Sequence, residues 1–173
     1  MRVNGGNDYI NLVNSILSGK CNQQACLENY DFKVMSDFNR FNNLQQKLED
    51  EFTLSRMIAG YAWEWKSKKD KSLYDMELDG VKKQWNYRLE NWVLSEGADK
   101  QVGCIHTIQG FDLNYGFVIM GNEIGYDPES KEIIVRPENY YDQNGRKTAS
   151  KEELLEYLSL IHISEPTRRS YIS

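Results

Sequence analysis

The feature that most constrains this chain is a set of short, largely apolar runs that do not alternate with polar residues. They are residues 54–62 (LSRMIAGYA), 102–105 (VGCI) and 115–120 (YGFVIM). A strand with one wet face alternates, whereas a strand covered on both faces does not. Between and before these runs lie helical patterns. In residues 7–17, Ile10, Val13, Ile16 and Leu17 share one face and Gly19 follows as a stop. Residues 37–51 repeat Phe38, Phe41, Leu44 and Leu48 at helical spacing, with Ser36 placed to cap them. Residues 30–35 (YDFKVM) alternate as a short strand, and residues 21–28 are polar and read as a loop. Short helices alternating with apolar strands predict an α/β sheet domain.

Two hairpins decorate that sheet. Asp79-Gly80 between residues 74–78 and 81–87 is a strong turn signal, because both central positions of a two-residue hairpin turn need positive φ. A second hairpin is expected over residues 124–136, around Asp127-Pro128, and Trp85 and Trp92 are expected to pack beneath the first. Ser150 to Leu155 carries a capping-box helix start, and Pro166 stops any helix beyond it.

Composition sets the class of partner. With 21 Lys+Arg against 26 Asp+Glu, the 173-residue chain has a formal net charge of -5. That argues against nonspecific wrapping of nucleic acid but leaves room for a local basic groove. No apolar run approaches the ~20 residues that cross a bilayer, and the N-terminal MRVNGGNDYI lacks the apolar core of a signal peptide. No membrane partner is expected. The three cysteines (Cys21, Cys26, Cys104) are too few for a disulfide scaffold and lack zinc-site spacing, so a reducing, cytoplasmic setting and no metal site are expected. The carboxylates Glu49, Asp50, Glu51, Glu152 and Glu153 fall on predicted helix faces and read as solvated.

Two stretches carry candidate chemistry. Residues 63–72 (WEWKSKKDKS) interleave Trp63 and Trp65 with Lys66, Lys68, Lys69 and Lys71. Aromatic rings can stack bases while lysines track phosphates; alternatively, this is a strand end with core tryptophans and solvated lysines. Residues 102–121 (VGCIHTIQGFDLNYGFVIMG) read strand, polar turn, strand. Loops at the C-terminal ends of sheet strands are where α/β proteins place ligands. There Thr107 offers a hydroxyl, Gln109 an amide and Gly110 an unobstructed backbone, all suited to phosphate or sugar contacts. The alternative is a tight turn between buried strands, with His106 a satisfied core residue.

On these residues the chain resembles a known family. HTIQGFDLNYGFVIMG (106–121) is similar to motif V of superfamily 1 helicases. With RVNGGNDYI (2–10), AGYAWEWKSKKD (59–70), the Asp79-to-Trp85 hairpin and the segment 127–142, it resembles the Schlafen group 3-like DNA/RNA helicase domain family, a P-loop superfamily 1 helicase-like group. The resemblance runs in order through residues 1–157. It implies an incomplete RecA-like sheet, the second, C-terminal RecA-like half of a nucleic-acid-dependent ATPase. It also implies that His106 and Thr107, with Trp65, Lys66 and Lys68, lie near single-stranded or duplex nucleic acid. Arg2, aligned with a γ-phosphate-sensing position, and Gln109, Gly110 and Asp112 would couple that contact to ATP and Mg²⁺ in the intact protein; Asp112 stands where many such proteins have Glu. An N-terminal RecA-like domain would be the structural partner. No G-x-x-x-x-G-K-[ST] occurs in the sequence, nor an acidic Mg²⁺-holding segment or a C-terminal arginine motif, so this chain alone is expected to be inactive toward ATP. The remaining reading is a non-enzymatic nucleic-acid-binding or interaction module.

Residues 158–168 (LSLIHISEPTR) resemble a translated transposase-type sequencing adaptor, which makes residues 158–173 an expected non-native tail. Without that tail, which holds Glu165, Arg168 and Arg169, the net charge would become -6 and His106 would be the only histidine.

Overall fold

A computed structural model of the chain describes residues 6–17, 31–108, 110–130, 132–141 and 170–172. The predicted loop at 21–28, the helix start at 150–155, residues 158–168, Arg2 and Gln109 lie outside the described residues. The elements are helix α1 (Gly6–Leu17), strand β1 (Phe32–Val34), helix α2 (Phe38–Phe52), then strands β2 (Ser55–Ala59), β3 (Met76–Leu78), β4 (Val81–Lys83), β5 (Val102–Cys104), β6 (Tyr115–Ile119), β7 (Ile124–Asp127), β8 (Glu132–Val135) and β9 (Ser170–Ile172). Five strands form one parallel sheet in the order β1-β9-β6-β2-β5. The three runs that lack alternation supply its β2, β5 and β6. The two antiparallel hairpins, β3-β4 and β7-β8, are also as expected.

Every residue of β2, β5 and β6 is buried, because both faces of the sheet are covered. On one face α2 sets Phe38, Phe41 and Leu48 against Met57, Ala59, Phe117 and Ile119. The Phe41 and Phe117 rings meet edge to face at 4.9 Å. On the other face Ile58 packs with Trp92, Val93, Ala98, Ile108 and Leu113, which come from single 3₁₀ turns and loops rather than from a second long helix. Trp85 and Trp92 are both fully buried, Trp85 within the α2-side cluster.

Three details of α2 differ from the sequence reading. Its cap is Asp37, not Ser36: Asp37 has the extended backbone a cap requires, and its Oδ1 accepts the Arg40 N–H at 3.0 Å. Gln45 is fully buried while Leu44 is only partly so, because the Gln45 amide donates to the Ser55 carbonyl at 2.8 Å and closes the start of β2. Glu49 is not merely solvated. Its Oε2 accepts from the Ser55 N–H and from the buried Arg56 guanidinium, each at 2.7 Å.

The Asp79-Gly80 turn has positive φ at both residues (48° and 81°), as a two-residue hairpin demands. It does more than reverse the chain. Asp79 Oδ2 accepts the Phe38 N–H at 2.9 Å and the Asp79 carbonyl accepts from the Asn39 side-chain amide at 3.1 Å, so the turn also satisfies one of the backbone amides that open α2.

Candidate nucleic-acid interface

Strand register fixes where the candidate residues emerge. Ala59 pairs with both Cys104 and Ile119, so β5, β2 and β6 end at the same level. The chain segments that leave this edge are the aromatic-basic run after β2, the turn at Ile105–Thr107 after β5, and Gly121 to Glu123 after β6.

After β5, Thr107 is buried and its hydroxyl donates to the Cys104 carbonyl at 2.6 Å. The hydroxyl therefore closes the strand end, and any ligand contact by Thr107 would compete with that bond. Ile108 enters the second apolar cluster, and the Phe111 N–H returns to its carbonyl at 3.1 Å. Between these anchors Gly110 is exposed at φ 90° with open space where a Cβ would stand, and Asp112 is exposed beside it. The backbone of His106 lies in the 3₁₀ turn; its side chain and Gln109 fall outside the described residues. So Gly110 and Asp112 share one accessible loop, and nothing described places Arg2 relative to them.

After β2, Tyr61, Trp63 and Trp65 gather around the buried Trp85 ring, with centroids 6.1, 6.5 and 5.9 Å from it. The tryptophans are half-buried, and Lys66, Lys68, Lys69 and Lys71 are exposed. Lys68 Nζ stands 5.7 Å over the Trp65 ring. This is the arrangement of the second alternative: the rings fix the loop against the core, and the ammonium groups face water. Among the described residues none of these four lysines forms an ion pair.

The residues that hold this arrangement were invisible in the sequence. Asp75 is buried, and its carboxylate accepts the Ser67 N–H (2.7 Å), the Ser67 hydroxyl (2.6 Å) and the Trp85 N–H (2.7 Å). The next residue, Asn86, accepts the Cys104 N–H at 2.9 Å and donates its own N–H to Val102 at 3.0 Å. Cys104 in turn receives the Thr107 hydroxyl. A continuous set of hydrogen bonds therefore joins the lysine loop, through Asp75 and Asn86, to the turn that carries residues 105–112. No local pattern signals these roles, because the partners lie eight to eighteen residues apart.

Glu123 was also missed. It is 1% exposed, and its Oε2 has no hydrogen-bond partner among the described residues. Burial pushes its carboxyl above the ordinary range, opposed by the backbone amides of Glu123 and Gly121. A carboxyl raised on folding favours the folded state most below its unfolded value near 4.3, and that contribution is lost as pH rises through the folded value. Glu123→Gln is therefore expected to be more stable than the parent at pH 7 by about 1 kcal/mol and equal to it near pH 4. Denaturation midpoints across that range check this; a constant offset at every pH would contradict it.

Among the described residues no group of three or more His, Cys, Asp or Glu side chains gathers to hold a metal. Nor is any helix among them long and apolar enough to cross a membrane.

Comparison with known proteins adds two matches. A family model described as Schlafen group 3, DNA/RNA helicase domain covers residues 1–164. An uncharacterized protein of Saccharomyces cerevisiae is 35% identical over 124 residues, which is 69% of this chain and 27% of that protein. The chain thus spans about a quarter of the length of the curated relative it matches. No solved structure matches the chain.

Proposed function

Since the chain belongs to the Schlafen group 3, DNA/RNA helicase domain family, we propose that it forms the nucleic-acid-contacting part of a helicase-like, nucleic-acid-dependent ATPase. The observation that carries this reading is the pinning of an exposed, unpaired lysine loop to the same sheet edge as the residue 105–112 turn. Lys66 and Lys68 would meet phosphates, and Trp65, with the cation of Lys68 above it, would meet a base or sugar. His106 and Thr107 would lie beside the strand, within reach of backbone groups that do not distinguish DNA from RNA.

ATP and Mg²⁺ belong to the intact protein in this reading, with Arg2, Gln109, Gly110 and Asp112 on the nucleotide side and an N-terminal RecA-like domain supplying the rest. The described residues do not fit a nucleotide by themselves. Gly110 leaves an open backbone and Asp112 adds one carboxylate, which is an acceptor and not a phosphate cradle. The purified chain is therefore expected to show no ATP turnover with or without oligonucleotide; nucleic-acid-stimulated hydrolysis would refute that.

Binding is tested by fluorescence anisotropy of a labelled single-stranded oligonucleotide titrated with the full chain. The combined variant Lys66→Ala/Lys68→Ala/Lys69→Ala is expected to bind about tenfold more weakly at low salt. An unchanged affinity would remove the loop from the interface. Binding without any activity in the full-length relative would favour the second reading, a non-enzymatic nucleic-acid-binding module, which rests on the same loop.

A further inference from the structure

A second surface lies around the β3-β4 hairpin, away from the residue 105–112 turn. A groove of about 830 Å³ opens there, lined by Tyr74, Lys82, Lys83, Gln84, Tyr87 and Lys100, with Glu96 and Asp99 also on its wall. Its volume lies within the range of small-ligand sites. Three properties give it a chemistry.

The first is Lys83. It is 7% exposed, and its ammonium has no ion pair among the described residues. Burial lowers its affinity for the proton and Asp99 restores part of it. A mostly buried lysine whose ammonium bonds no anion is a place where an incoming anion gains a charge-assisted hydrogen bond. The second is aromatic surface: Tyr74 and Tyr87 are each about half exposed (53% and 50%) at the groove. The third is continuity with the lysine loop. Lys71, from the loop, stands 5.7 Å over the Tyr87 ring. Gln84 bonds to the Lys71 and Leu73 carbonyls at 2.8 and 2.7 Å, and the Tyr87 hydroxyl bonds to Gln84. A polymer lying on the loop thus reaches the groove without a gap. Lys82 is paired with Glu77 at 3.8 Å, so Lys83 and Lys100 stand against Glu96 and Asp99 in the groove, and the positive excess comes from Lys71 at its mouth.

We propose that this groove is a second contact for the same nucleic-acid strand, taking a backbone phosphate between Lys83 and Lys100 and a base against Tyr87. The proposal rests on the reading of the loop as a nucleic-acid contact, and adds a path that leads the strand around the hairpin. Tyr87→Leu removes the stacking surface at a half-exposed position, and Lys100→Ala removes an exposed charge, so neither endangers the core.

The test uses the full chain and two labelled oligothymidylates, one of about 5 nucleotides and one of about 15, both within the span of known single-strand sites. The combined variant Tyr87→Leu/Lys100→Ala should lose about tenfold in affinity for the longer strand and keep its affinity for the shorter. The lysine-loop variant should weaken both. Lys83→Met should behave as the groove variant does, with thermal melting to confirm that it folds. If the parent binds both strands and the groove variant matches it on both, the groove proposal is overturned while the loop reading stands. If the parent binds neither, both fall.

Discussion

Replacing Asp75 by alanine should destabilise the chain by about 3–5 kcal/mol, measured by chemical denaturation. The side chain is buried and accepts three hydrogen bonds, two from backbone amides that have no alternative partner once it is gone. Hydrogen bonds to a charged group contribute about 1.5–3 kcal/mol each, and bonds sharing one acceptor group are not additive, so the total falls below their sum. Ser67→Ala removes the hydroxyl bond alone and should cost only about 1.5 kcal/mol. The contrast separates the pinning of the backbone from the loss of one side-chain contact. Asp75 also ties the lysine loop to the sheet edge, so the alanine variant should lose oligonucleotide affinity even at temperatures where it remains folded. A variant as stable as the parent would show that the loop is held by its tryptophans alone.

Gly103→Ala should be nearly as damaging, at about 3 kcal/mol. Gly103 lies in β5, and its backbone needs no left-handed conformation; what it needs is space. A Cβ there would stand 2.2 Å from Trp92 Cζ3 and 2.6 Å from Cη2. The indole cannot swing aside cheaply, because its N–H donates to Gln101 Oε1 at 2.9 Å and the ring is fully buried. Overpacking of this kind typically costs about 1–3 kcal/mol, and loss of the indole hydrogen bond adds to it. The denaturation midpoint should fall, with a red shift of tryptophan emission as Trp92 leaves its pocket. A normal midpoint would mean that the 3₁₀ turn Trp92–Leu94 moves as a unit, and that this face of the sheet is loosely held.

The buried strands could be read because full burial leaves a local trace, the loss of alternation at 54–62, 102–105 and 115–120. The hairpin at Asp79-Gly80 could be read because its turn chemistry is confined to two residues. Asp75 left no trace: its partners, Ser67 and Trp85, are eight and ten residues away. Glu123 sits after a buried strand where an acid ordinarily reads as a solvated turn. Gln45 took a core position over Leu44 because a strand carbonyl ten residues on needed a donor. For the candidate interface, motif resemblance located the turn at 105–112 but did not reveal that Thr107 closes β5 with its hydroxyl. The lysine run did offer core tryptophans with solvated lysines as one of its two readings, and that is the arrangement found. The α/β sheet and a candidate phosphate-contacting loop could be expected without the family, while the helicase reading could not.

If the lysine loop pinned to this sheet edge contacts a nucleic-acid backbone, a salt series reads that contact directly. Affinity of the full chain for a single-stranded oligonucleotide is measured over a range of salt concentrations, for the parent and for Lys66→Ala/Lys68→Ala/Lys69→Ala. Each lost phosphate contact lowers the slope of log affinity against log salt by about 0.7 on single strands. The slope is expected to be shallower by about 2 in the variant, with the two lines converging at high salt. Parallel lines, or a parent whose binding ignores salt, would contradict it.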